Sequence, residues 1–144
     1  LVLMYAKDET SRTTKDNVDY DDVMATVAEF LTERRDQAEQ AGVARERIKL
    51  DPGFGYFVSG KAEYSYQILA HLSELLELGC ELYVSPSRKS FLAGAEQLPP
   101  GDRLPGTIAA SVLAALSGAE YIRTHDVLAV RRAIEVVESM VRAY

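Results

Sequence analysis

The chain has 144 residues, 47% of them hydrophobic and 26% charged, which suits one soluble globular domain with a sizeable core and excludes a disordered segment. Its 22 acidic against 16 basic residues give a net charge of -6, and this excludes a sequence-independent grip on nucleic acid, which needs clustered Lys and Arg in excess. Cys80 is the single cysteine, a small residue near a helix end, so no intrachain disulfide or cysteine-rich metal cage is available; no apolar run reaches the roughly 18 to 20 residues of a membrane span, and a cytoplasmic protein with no membrane contact is expected.

Leu1 to Ala6 is a short apolar run that reads as the middle of a buried strand, and because chains seldom start there, further sequence upstream is expected. After the polar stretch Lys7 to Asn17, the spacing of Val23, Val27, Phe30 and Leu31 predicts one helix face, with Asp19, Asp21 and Asp22 supplying capping and negative charge at its start and Gly42 its stop. Arg47 to Leu50 is a second strand closed by Asp51-Pro52-Gly53, and Ile68, Leu69, Leu72, Leu75 and Leu76 form a second helical stripe ended by Gly79. Glu81 to Ser85 is the third strand and Ala109 to Leu116 the third helix, whose small residues allow close packing on a sheet. Tyr121 to Arg123 is the fourth strand, and Val130, Ile134, Val137 and Val141 set the face of the last helix.

Strand followed by helix four times predicts an α/β fold with a parallel sheet, each helix serving as the crossover that a parallel connection requires. Residues 1–144 form a single domain with no linker. A complete (β/α)8 barrel takes about 250 residues, so four units amount to half of one. A free-standing open sheet, which would carry a reversal in strand order, is the alternative.

In such folds the residues just past the strand C-termini share one face. Met4-Tyr5, Asp51-Pro52-Gly53-Phe54-Gly55, Ser87-Arg88-Lys89-Ser90 and Arg123-Thr124-His125-Asp126 would converge there. Asp51 is either a turn cap or a buried carboxylate that takes paired N–H bonds from an amidine-like edge. Lys89, at the end of a buried strand, must find an acceptor. The two together would bracket a flat ring with donors on one edge and acceptors on the other. Arg123 offers a planar fork and His125 a donor, which suit an anion; otherwise Arg123 pairs with Asp126 or another acid and His125 caps the last helix. His71 reads as a solvated surface residue. The loop from Gly53 to Lys61 matches neither G-x-G-x-x-G nor the Walker pattern, and its aromatic residues form either a mobile flap over a ring-shaped substrate or packing beneath the loop. Metal-ligand spacing, G-x-S-x-G and H-E-x-x-H are absent.

In order and spacing, Asp51-Pro52-Gly53-Phe54-Gly55, Ser87-Arg88-Lys89-Ser90-Phe91, Arg103-Leu104-Pro105-Gly106-Thr107 and Arg123-Thr124-His125-Asp126-Val127 resemble dihydropteroate synthase, a (β/α)8 TIM barrel of the folate pathway. The resemblance covers the family's second half, strand five to helix eight. It implies a transferase that condenses a hydroxymethyl-dihydropterin diphosphate with para-aminobenzoate to give dihydropteroate and diphosphate, with Mg2+ arriving on the diphosphate. By motif, Asp51 and Lys89 would bind the two edges of the pterin, Met4 and Gly55 would line its pocket, and Ser87 would lie among the substrate contacts. Arg123 and His125 would hold the diphosphate, Lys89 sharing the catalytic role. Ser90 would contact the aminobenzoate carboxylate and Tyr56 would pack on its ring.

The chain departs from the family at Tyr5, where His is usual, in Phe57-Val58-Ser59, which lengthen the flap, at Tyr64-Ser65 in place of His-Asn, and at Ser85-Pro86. The resemblance also implies a partner, either the N-terminal half-barrel or a second copy, without which no turnover is expected. Two other functions stay open: a non-catalytic pterin- or phosphate-binding interaction module, and a pterin-dependent methyltransferase barrel, which would not need the diphosphate site.

Overall fold

Four short strands, β1 (Val2–Met4), β2 (Lys49–Asp51), β3 (Glu81–Val84) and β4 (Ala119–Ile122), run parallel and in chain order in a computed structural model that describes residues 1–10 and 12–143. Sequential order without reversal is the arrangement of consecutive βα units in a barrel and not of an open doubly wound sheet. The register pairs Leu3 with Leu50 and Leu50 with Leu82, so one row of leucines faces the helices while Met4 and Asp51 stand side by side at the C-terminal end.

Between the strands run α1 (Val23–Gln40), α2 (Ala62–Ala70), α3 (Leu104–Leu116) and α4 (Val127–Arg142). At the start of α1 the Asp22 carboxylate accepts the Ala25 N–H at 2.9 Å, satisfying one of the donors that a helix start leaves orphaned. The helix buries Val23, Val27 and Leu31 against Ile48, Leu50 and Leu72 in one continuous core. In α3 the buried positions are Thr107, Ala110, Ser111 and Ala114, small side chains on one face that bring the helix close to the sheet.

Three elements differ from expectation. The second helix ends at Ala70, and Leu72–Leu78 form a 3-10 turn, in which three-residue spacing sets Leu72, Leu75 and Leu78 on one side. The apolar spacing there fits either helix type. The third helix starts at Leu104, because Pro105 in its first turn lacks only an N–H that would have no partner anyway. Finally, β1 is not buried: Val2 is 46% and Met4 36% exposed, since β1 is a sheet edge and its second face meets no layer of this chain.

Leu31, wholly buried between α1 and the sheet, tests the packing. Leu31→Ala should lower unfolding stability by about 2–5 kcal/mol in chemical denaturation; a loss below about 0.5 kcal/mol would mean that α1 is not seated on the sheet as described.

Candidate active site

The C-terminal ends of the strands collect the polar residues singled out from the sequence. Asp51 closes β2 and is only 3% exposed. It accepts the Gly53 N–H at 2.8 Å, and burial raises its pKa to about 6, against the opposing pull of that bond and of the Lys89 and Arg123 charges. Lys89 follows β3. Burial pushes its ammonium below the ordinary lysine range, the Asp51 charge works against that, and Arg123 adds to it. The three charges therefore act on one another across a shared space, yet among the described residues Asp51 and Lys89 form no ion pair. The Lys89 Nζ has only a long bond to the Phe54 carbonyl, at 3.4 Å, and lies 4.1 Å from the centroid of the Phe57 ring.

Arg123 does not pair with Asp126. Arg88 takes that acid in a bidentate pair, with Nε to Oδ2 at 3.0 Å and Nη2 to Oδ1 at 2.7 Å, holding the Asp126 carboxyl below the usual range. Arg88 reaches this geometry at a φ of 56°, a left-handed conformation unfavourable for a residue that carries a Cβ. Its backbone is locked on both sides: its N–H donates to Thr107 Oγ1 at 3.0 Å, and its carbonyl accepts from Arg103 Nη1 at 2.9 Å. The Arg103-to-Thr107 motif thus supports the loop that carries Lys89. Arg123 forms no ion pair among the described residues and stays available to a ligand.

His125 does not cap α4 with its ring. Its Nδ1 lies 2.9 Å from Ser87 Oγ, which also accepts the His125 backbone N–H at 3.1 Å and the Thr124 hydroxyl at 3.3 Å. With both lone pairs used, the Ser87 hydroxyl hydrogen must point at Nδ1, which leaves the ring hydrogen on Nε2. Ser87, 6% exposed, is committed to His125 and Thr124. Its placement next to His125 could not be derived from the sequence, because the two are 38 residues apart.

Gly55 lies at φ +64°, and a Cβ there would sit 2.8 Å from Ser90 Oγ, so only glycine lets the flap approach Ser90. The Gly55 N–H donates to Ser65 Oγ at 2.9 Å, which accounts for a serine at that position. The flap divides in two. Phe54 and Val58 are buried, Phe54 stacking on Phe91 with centroids 5.4 Å apart, whereas Tyr56 and Phe57 remain partly exposed beside the site. Met4 is part-exposed at the register position next to Asp51. A buried carboxylate, a half-buried ammonium, an unpaired guanidinium and an oriented imidazole on one face can receive a planar donor-acceptor ring joined to an anion.

The sequence matches the pterin binding enzyme family over residues 1–125. The chain belongs to that family. It is 42% identical over 125 residues to the dihydropteroate synthase of Escherichia coli K12, covering 86% of this chain and 43% of the relative, and 36% identical over 141 residues to a type-3 dihydropteroate synthase of E. coli, covering 97% and 54%. Among solved structures it superposes on a Xanthomonas albilineans dihydropteroate synthase with 4-aminobenzoic acid at a TM-score of 0.85 and 38% identity, covering 96% of this chain and 50% of that one. The same X. albilineans enzyme in complex with 7,8-dihydropteroate gives a TM-score of 0.83 at 38% identity, covering 96% and 51%. The chain thus spans about half the length of the pterin-binding relatives it matches, and its four βα units are part of a TIM barrel.

The raised Asp51 pKa has a measurable consequence. Because its folded value lies above the ordinary 3.8, folding takes up a proton between about pH 4 and 6, so this carboxyl favours the fold below pH 4 and withdraws about 3 kcal/mol as pH rises past 6. Asp51→Asn should abolish that component and be the more stable form at pH 7.5 in parallel denaturation series. Equal stability of the two proteins from pH 4 to 7.5 would contradict the assigned burial.

Proposed function

We propose that this chain supplies one half of the active site of a dihydropteroate synthase, the transferase that joins a 6-hydroxymethyl-dihydropterin diphosphate to para-aminobenzoate in folate biosynthesis. The observation that carries this is the juxtaposition of the buried Asp51 and the half-buried Lys89, mutually felt and unpaired, with Arg123 left free by the Arg88–Asp126 pair. Asp51 accepts from the amino and ring N–H edge of the pterin, and Lys89 donates to its carbonyl and ring nitrogen. Arg123 and the Nε2–H of His125 face the diphosphate. The C–O bond to diphosphate breaks before the amine attacks, leaving positive charge on the pterin methylene and negative charge on the leaving group. Stabilising that anion is the main catalytic task. The aminobenzoate nitrogen then forms the new C–N bond and releases a proton, its ring held by Tyr56 and its carboxylate by Ser90.

The described residues bring no three acidic, histidine or cysteine side chains together as a metal cage. Magnesium therefore fits this site as a passenger on the diphosphate, held mainly by phosphate oxygens and water, where it would neutralise leaving-group charge. Closing the barrel needs four further βα units along the free edges of β1 and β4. An N-terminal half-barrel or a second copy is the partner in this proposal, and the protein acts on small molecules in the cytoplasm.

Calorimetry with the pterin diphosphate should show binding to the 144-residue chain, weakened about 10- to 100-fold by Arg123→Ala, in line with a lost charge-assisted hydrogen bond. With both substrates and Mg2+ the chain alone should form no dihydropteroate. Turnover by the isolated chain, or indifference of binding to Arg123→Ala, would overturn the proposal.

A further inference from the structure

Six consecutive flap residues, Tyr56 to Lys61, are each tied to the segment that follows β1. The Lys7 N–H donates to the Phe57 carbonyl at 2.8 Å, Thr13 Oγ1 to the Tyr56 carbonyl at 2.9 Å, and the Gly60 N–H to the Asp16 carbonyl at 3.0 Å. Ser59, buried, clasps one residue from both sides: its Oγ accepts the Val18 N–H at 3.0 Å and donates to the Val18 carbonyl at 2.9 Å. The Tyr20 hydroxyl donates to the Val58 carbonyl at 2.7 Å and accepts from the Tyr5 hydroxyl at 3.0 Å, while Lys61 pairs with Asp19. The two backbones are in close contact, since a Cβ on Gly60 would run into the Asn17 side chain and come within 2.8 Å of the Lys15 carbonyl.

Both ends of this segment are themselves fixed. The Asp8 carboxylate accepts from Lys7 Nζ at 2.6 Å, the Thr14 N–H at 2.9 Å and Thr13 Oγ1 at 3.0 Å, which closes the polar stretch into a loop and holds the Asp8 carboxyl well below the usual range, the Lys7 bond being the main cause. At the other end Tyr5 is buried, edge-on to Phe30 at 5.2 Å, so the hydroxyl pair Tyr5–Tyr20 links the flap to the core. Phe57, Val58 and Ser59 are the residues that lengthen the flap relative to the family pattern, and Tyr5 replaces the usual histidine. The departures thus interlock: the extra flap residues present the carbonyls and the hydroxyl that the loop binds.

We propose that Lys7, Asp8 and residues 13–20 form a brace that holds the flap in its closed geometry, with Tyr20 and Ser59 as positioning residues that act through Phe57 on Lys89 and through the flap backbone on Tyr56. The consequence for substrates rests on the dihydropteroate synthase assignment; the brace itself does not. It presses the face of Phe57 against the Lys89 ammonium, keeps water from that side and leaves the ammonium directed to a ring acceptor.

The test is the rate at which acetic anhydride acetylates Lys89 in the 144-residue chain, followed by peptide mass spectrometry with Lys49, ion-paired to Glu81 on the sheet, as internal reference. Tyr20→Phe and Ser59→Ala should each raise the Lys89 rate at least 5-fold while the Lys49 rate stays constant. Thr13→Val, which removes the exposed hydroxyl shared between the Tyr56 carbonyl and the Asp8 carboxylate and touches no core residue, should raise Lys89 alone as well and carries the test where the other variants unfold. An unchanged Lys89 rate in Thr13→Val, or a rise shared equally by Lys49 in all three variants, would overturn the brace. Adding the pterin diphosphate to the parent chain should slow Lys89 acetylation. Absence of protection alongside a variant-dependent rise would remove the substrate assignment and leave the brace standing.

Discussion

Asp51, buried, and Lys89, half-buried, lie near enough to feel each other's charge but do not close into an ion pair, and the rest of the site is arranged to keep them so. Left to relax, a carboxylate and an ammonium in such surroundings would pair or change protonation state, because an isolated buried charge is expensive. Here the sheet register fixes Asp51 beside Met4, the Gly53 N–H holds one of its oxygens, and Phe57 occupies one side of the ammonium. The result is a carboxyl raised toward neutrality and an ammonium pushed down, a strained pair that a ligand with complementary edges relieves. Stability given up at a site in this way is the usual companion of binding.

Two scaffolds maintain that separation from opposite sides. On the β3 side, Arg88 spans the loops after β3 and β4 through its bidentate grip on Asp126, while Arg103 and Thr107 at the start of α3 lock its left-handed backbone. This removes from Arg123 the acid it would otherwise have neutralised, and Ser87 turns the His125 Nε2–H outward. On the β1 side, the loop from Lys7 to Tyr20 holds the flap residue by residue. The two differ in kind. The first rests on charge and is sensitive to salt at its half-exposed members, whereas the second is mostly neutral hydrogen bonding between side-chain hydroxyls and the facing backbone, joined by two backbone–backbone bonds.

Much of the architecture was legible in the sequence because four strand-helix alternations leave few topologies open, and the strand-end residues Asp51, Lys89, Arg123 and His125 do meet on one face. Other features were not legible, for physical reasons. The partner of Asp126 depends on which of two arginines in two different loops reaches it, and spacing within one loop favours the wrong one. Leu72, Leu75 and Leu76 fit an α-helix and a 3-10 turn equally well until packing decides. The exposure of Val2 and Met4 comes from what does not cover β1, which no local pattern in Leu1 to Ala6 encodes. The polar stretch Lys7 to Asn17 has no hydrophobic period and read only as a connection; its one local signal was Asp8 set among Lys7, Thr13 and Thr14, and the flap backbone groups it serves lie more than 40 residues away.

The most direct test of the central claim is the Asp51 carboxyl itself, followed by carbon NMR as pH is varied, with and without a saturating 6-hydroxymethyl-dihydropterin that lacks the diphosphate. If Asp51 reads the amino and ring N–H edge, its midpoint should fall from about 6 to below 4 on binding, because those donors stabilise the carboxylate. A midpoint that stays near 6 with the ligand bound would show that the ring is held elsewhere and that the facing of Asp51 and Lys89 serves another purpose.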